Sequence, residues 1–130
     1  MHNKIVKGIK HSNRAFCGPH TVQIDLTDRC NNSCIACWVH SPLINKIDVF
    51  PEGQKEIPIK VIKKLICELY KSGTKEIILS GSGEPLMYPE ILGVIRLIKS
   101  KKINLNIITN ATLLTDEISR MFGLPPSLLE

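Results

Sequence analysis

Apolar and polar positions along the chain switch between two rhythms. Residues 22–27 (VQIDLT), 75–80 (KEIILS) and 103–109 (INLNIIT) are short β-prone runs. Between them the spacing becomes helical. In residues 58–73 (PIKVIKKLICELYKSG), Ile59, Ile62, Ile66 and Leu69 recur every three or four positions and share one face. Pro58 suits a first helical turn, and Gly73 suits a C-terminal cap. A second amphipathic helix is predicted from Pro89 to about Lys101, with Ile91, Leu92, Ile95 and Ile98 turned inward. A third begins at Thr115, a good N-cap, followed by Asp116 and Glu117, whose charge complements a helix N-terminus. Gly123 and Pro125-Pro126 stop it.

This strand-then-helix order predicts an α/β fold of three consecutive β-α units, with parallel strands and helices outside. Residues 21–130 form that domain, and residues 1–20 are an N-terminal extension. Ligands of such folds bind at the C-terminal ends of the strands. Both unusual segments of this chain fall there: a long connection over residues 28–57 after the first strand, and GSGEP after the second. Each strand also has a polar side. Gln23, Asp25 and Thr27 share one face, as do Glu76 and Ser80, and Asn104, Asn106 and Asn110. Buried parallel strands are ordinarily apolar throughout, so these faces are expected to line a polar cavity; the alternative is a sheet face left wet.

Composition narrows the class. At 130 residues, with 43% apolar and 22% charged, the chain is one folded domain rather than a disordered segment. No apolar run approaches the ~20 residues that span a bilayer. Met1 to Phe16 is polar and basic with no apolar stretch behind it, so no secretory signal is expected and the default compartment is the cytoplasm. The net charge of +5 gathers near predicted helix ends, at Lys63, Lys64, Lys71 and residues 99–102. The six aromatic residues do not alternate with the basic ones, which argues against a nucleic-acid partner. Cysteine says more. Cys17, Cys30, Cys34, Cys37 and Cys67 are odd in number, and three of them crowd into eight positions. That pattern points to metal or catalysis, not to a disulfide framework.

The cluster reads C-x3-C-x2-C. Thiolates favour zinc, copper(I) and iron–sulfur centres. Electron-carrying cubanes use four cysteines, so three local ones leave one iron open, as an open position marks a catalytic zinc. The alternative is a tetrahedral zinc site of Cys30, Cys34, Cys37 and His40 stabilising a binding module, with Cys17 as another candidate fourth ligand. On spacing alone both readings stand. Cys67, between Ile66 and Leu69, reads as packing, and His11 and His20 have no evident partner. In the Leu79–Leu86 stretch (LSGSGEPL), glycines let backbone approach a ligand, and carbonyls with the Glu84 carboxylate accept bonds from an ammonium. The loop lacks the Gly-Lys-Ser/Thr ending of a phosphate cradle.

The cysteine spacing after the first strand, followed by Ser82-Gly83-Glu84-Pro85 after the second, resembles the radical S-adenosylmethionine (radical SAM) family. The resemblance implies a [4Fe-4S] cluster on Cys30, Cys34 and Cys37, with the fourth iron chelated by S-adenosylmethionine. It implies cofactor contacts from Gly81, Ser82, Gly83 and Glu84, which orient the methionine moiety, and from Asn110, whose Thr109-Asn110-Ala111 setting is similar to members that modify peptides or build cofactors. Two positions depart from the family pattern: Ala36 stands where an aromatic is common, with Trp38 following Cys37 instead, and Ser82 takes the first glycine place. The implied chemistry is reductive cleavage of S-adenosylmethionine to a 5′-deoxyadenosyl radical that takes hydrogen from a substrate. It needs a reductant such as flavodoxin or ferredoxin, and it implies a peptide or cofactor precursor as substrate. The implied fold is a TIM-like partial barrel of about six β-α units, and this chain corresponds to its first half. The expectation is therefore a truncated core that is either an inactive fragment or is completed by a second chain pairing with its open sheet edge.

Overall fold

The protein is described by a computed structural model that covers residues 2–12, 14–44 and 55–123. Helix α1 (His2–His11) precedes strand β1 (Thr21–Ile24). Then come α2 (Ile59–Ser72), β2 (Glu76–Leu79), a 3-10 turn (Pro85–Met87), α3 (Ile91–Ser100), β3 (Asn104–Ile107) and α4 (Asp116–Met121). The three strands form one parallel sheet in the order β1-β2-β3, with Gln23 beside Ile78 and Ile78 beside Asn106. The expected fold class is borne out.

The alternation of side chains across each strand explains the layering. Ile24, Ile77 and Leu79 are buried on the sheet face that meets Ile62, Ile66, Val94, Ile95 and Ile98 of α2 and α3. Ile118 of α4 joins this core, with Leu105 and Ile107 packed against it half-buried. Helix α2 stops where expected: Gly73 takes a left-handed conformation (φ 92°), and its N–H caps the carbonyls of Leu69 and Tyr70. Thr115 caps α4 by accepting from the Ile118 N–H. The Pro125-Pro126 stop lies outside the described residues.

Three features differ from the sequence reading. Residues 2–11, expected to be a plain extension, form a helix in which no residue is buried. Strand β1 is shorter than residues 22–27, because Leu26 and Thr27 leave the parallel ladder for the chain returning from the cysteine loop. Ile57 N–H donates to Leu26 O at 3.0 Å, and Thr27 bridges Glu56 antiparallel. The polar strand faces do not enclose a cavity: Gln23, Asn104 and Asn106 are exposed on the sheet side away from α2 and α3. Their bonding runs across the strands instead, with Thr21 Oγ1 and Asn106 Nδ2 donating to opposite oxygens of Glu76 at 2.8 and 2.7 Å. Closing a cavity over this face requires further strands than these three.

Candidate cofactor site at the C-terminal ends of the strands

Three loops follow the three strands and meet at one end of the sheet. The first leaves β1 through a tight neck. Asp28 N–H donates to Lys55 O at 3.0 Å, Thr27 Oγ1 reaches the same carbonyl at 3.0 Å, and Lys55 Nζ pairs with Asp28 Oδ2 at 3.2 Å. Arg29 forms an ion pair with Glu56 and donates to Met87 O at 3.0 Å. From the 3-10 turn, the buried Tyr88 hydroxyl donates to Ile57 O at 2.8 Å. Burial, assisted by the nearby Glu90 and Glu56 carboxylates, pushes that hydroxyl up to about 12.

Beyond the neck stand Cys30, Cys34 and Cys37, all free thiols; Cys34 is exposed and the other two are half-buried. Cys37 N–H donates to Cys34 O at 3.0 Å, so these two cysteines flank one turn. The sulfur of Cys37 accepts from the N–H groups of Val39 and His40 at 3.4 and 3.2 Å. Among the described residues, no three His, Cys, Asp or Glu side chains are arranged to hold a single metal ion. The zinc arrangement of Cys30, Cys34, Cys37 and His40 is therefore not assembled, and His40 Nε2 is buried without a hydrogen-bond partner. A cubane makes a different demand, since each cysteine binds a different iron. Three free thiols on one loop, one of them already facing two backbone donors, fit that demand chemically.

The second loop is buried where the first is open. Gly81 (φ 137°) leaves no room for a side chain: a Cβ there would lie 2.0 Å from Asp25 Cγ. A Cβ on Gly83 would meet Thr27 O at 2.4 Å and Arg29 O at 2.5 Å, so this glycine lies directly on the backbone leading to Cys30. Glu84 N–H then donates to Arg29 O at 2.8 Å. Ser82 is buried, and its hydroxyl has no partner. Glu84 is 3% exposed, and its carboxylate is the hub of the site. Oε1 accepts from Leu86 N–H at 3.0 Å and from Thr109 Oγ1 at 2.6 Å, and Oε2 accepts from Asn110 N–H at 2.8 Å.

The third loop is stitched back to the first. Asn110 Nδ2 donates to Asn31 Oδ1 at 2.9 Å, and Asn31 Nδ2 donates to Thr112 Oγ1 at 2.7 Å. Asn110 Oδ1 also accepts from Thr112 N–H at 3.0 Å, an Asx turn. The turn holds Ala111 at φ 62°, a left-handed conformation that alanine adopts only under local constraint.

The structure thus brings together Cys30, Gly83, Glu84 and Asn110 through their loops. It places Cys17 and Cys67 elsewhere, half-buried, with Cys67 on α2. Sequence reasoning missed Asn31, Thr109 and Thr112, whose role exists only through bonds spanning 25 to 81 residues. Arg29 was likewise missed, and no local pattern marks it.

Comparisons with known proteins place the chain in a family. A family model described as the radical SAM superfamily matches residues 24–127. Among curated proteins, the chain is 28% identical over 96 residues to a tungsten-containing aldehyde ferredoxin oxidoreductase cofactor-modifying protein of Pyrococcus furiosus, covering 73% of this chain and 25% of that one. It is 36% identical over 97 residues to a probable GTP 3′,8-cyclase of Methanothermobacter marburgensis, covering 74% of this chain and 29% of that protein. The chain therefore spans 25 to 29% of the length of these relatives. Among solved structures, Streptococcus suis SuiB bound to S-adenosylmethionine superposes with a TM-score of 0.67 at 23% identity, over 92% of this chain and 25% of that one. BtrN in complex with AdoMet and 2-DOIA gives 0.63 at 18% identity, over 80% and 41%. At these identities the structural likeness speaks to the fold, and the family match carries the assignment: the chain belongs to the radical SAM superfamily.

Proposed function

We propose that this chain is the first half of a radical SAM core, with Cys30, Cys34 and Cys37 ligating a [4Fe-4S] cluster and the loops after β2 and β3 receiving S-adenosylmethionine. One observation carries the reading: Glu84, inside the glycine loop, locks the third loop in place while Gly83 presses on the approach to Cys30. When bound, the cluster and S-adenosylmethionine together supply a carbon-centred radical that removes a hydrogen atom from a substrate.

The chain's own residues prepare that site. Cys30, Cys34 and Cys37 provide three thiolates, leaving one iron for the cofactor. The Val39 and His40 amides face the sulfur of Cys37. Gly81 and Gly83 allow close backbone approach, and Ser82 Oγ remains unbonded. The Glu84 carboxylate uses three of its four acceptor sites within the chain, which leaves Oε2 able to accept one ammonium proton. Asn110 fixes the third loop against Asn31 beside the cofactor.

Activity rests on further β-α units that complete the barrel, supplied by another stretch of polypeptide at the β3 edge. A groove of about 320 Å³ lined mainly by apolar residues of β3 and of α4 with its C-cap, such as Leu105, Ile107, Ile118 and Phe122, with the polar Asn106 and Thr109 at its wall, lies alongside β3 and supports that docking. The partners in this reading are a cytoplasmic flavodoxin- or ferredoxin-type reductant and a peptide or cofactor-precursor substrate. The cofactor-modifying relative and a SuiB structure with precursor peptide SuiA support that substrate class.

Anaerobic reconstitution tests the proposal. The expected product is brown protein with about four irons and four sulfides per chain, lost in Cys34→Ala and kept in His40→Ala. One zinc and no colour, lost in His40→Ala, would replace the proposal with the zinc module. Release of 5′-deoxyadenosine under reduction by the reconstituted chain alone would show that the later units are dispensable for cofactor cleavage.

A further inference from the structure

The three cysteines are not equivalent. Among the described residues, only Cys37 has hydrogen bonds to its sulfur, from Val39 N–H at 3.4 Å and His40 N–H at 3.2 Å. Backbone amides reach a sulfur two and three residues earlier only when the chain is folded back on itself. Here Ser41 holds the fold. Its hydroxyl donates to Ile35 O at 2.7 Å and accepts from Leu43 N–H at 3.2 Å, and the residue is 6% exposed. The loop from Ile35 to Ser41 is thereby closed by a shielded side-chain bond, with Val39 buried inside it and Cys37 near its middle. Ile35 and Trp38 are 72% and 60% exposed, so the apolar packing within the loop comes mainly from Val39.

Resting on the cluster reading above, we propose that Ser41 is a positioning residue: it aims the Val39 and His40 amides at Cys37 Sγ and so raises the reduction potential of a cluster bound at Cys30, Cys34 and Cys37. The physical basis is general. A one-electron reductant of the flavodoxin or ferredoxin class adds one negative charge to the centre. N–H dipoles directed at a ligating sulfur stabilise that charge and make reduction easier. The two donors are backbone amides, so their orientation is set by the fold of the loop that Ser41 closes.

Two measurements on the full chain test this, and they fail separately from the cluster reading. In the metal-free chain, amide hydrogen exchange at Val39 and His40 is expected to be protected, at least tenfold faster in Ser41→Ala, and restored in Ser41→Thr. Equal exchange in wild type and Ser41→Ala overturns the proposal whether or not iron binds. In reconstituted protein of equal iron content, Ser41→Ala is expected to shift the potential in a mediated redox titration to more negative values. It should also lose the part of the iron–thiolate Raman shift that responds to D2O, with both features kept in Ser41→Thr and in the exposed-loop control Ser33→Ala. An unchanged potential in Ser41→Ala overturns the proposal. Failure of the wild type to take up iron overturns the cluster reading instead, while the exchange data still decide whether Ser41 orients the amides.

Discussion

The glycine–glutamate loop and the cysteine loop lie side by side, yet they are built in opposite ways. In the first, Ser82, Glu84, Pro85 and Leu86 are buried, and the carboxylate is bonded three times within the chain. In the second, Cys34, Ile35, Ala36 and Trp38 are exposed, and order comes from the neck at residues 27–29 and 55–57 and from the turn around Cys37. The difference teaches how the site is divided. The polypeptide fixes the glycine–glutamate loop itself, because the buried Glu84 carboxylate finds its partners within the fold. It leaves Cys34 exposed and Cys30 and Cys37 half-buried, as the proposed metal ligands would need for metal to reach them.

The sharpest way to break that comparison is Glu84→Ala. It removes three bonds to a buried carboxylate and strands the Thr109 hydroxyl and the Asn110 and Leu86 amides. It should cost about 3–5 kcal/mol in urea denaturation of the metal-free chain. A loss below 1 kcal/mol would show that the loop is not held by this residue. Gly83→Ala comes next. Its Cβ would meet backbone atoms that cannot rotate away, so a loss of about 3 kcal/mol is expected from the same measurement.

Tyr88 joins the two regions and gives the comparison a pH signature. Below pH 10 its hydroxyl is protonated in both folded and unfolded chains, and its bond to Ile57 O contributes fully. As pH rises from 10 to about 12, the unfolded chain releases a proton that the folded chain keeps. Stability then falls by about 2–3 kcal/mol, and Tyr88→Phe should flatten that part of the profile. The smallest effect belongs to the open loop. Cys34→Ala should change metal-free stability by less than about 0.5 kcal/mol, while abolishing iron uptake under reconstitution.

Much of this was legible along the chain. The helical spacing of Ile59, Ile62, Ile66 and Leu69 predicted α2, and Gly73 marked its end because only glycine takes the left-handed cap without penalty. The C-x3-C-x2-C and SGEP motifs sat at strand ends as their positions predicted, because a parallel β-α repeat places successive loops at one end of the sheet. Helix α1 was missed although Ile5 and Ile9 are four apart; its polar, basic composition reads as an extension, and in the structure none of its residues is buried. The full extent of β1 was overestimated because Leu26 and Thr27 have the same β-prone character whichever neighbour they pair with.

Local sequence, acting through side-chain period, caps and cysteine spacing, determined the elements, their order and the three thiols proposed as ligands. Only the folded chain decided that Glu84 binds Thr109 and Asn110, that Asn31 meets Asn110 and Thr112, and that, among the described residues, Cys37 is the cysteine whose sulfur receives backbone donors. The physical reason is one of range. A helix face or a cap is settled among residues a few positions apart, whereas a hydrogen bond spanning dozens of residues exists only after burial of the apolar core has brought the strand ends together.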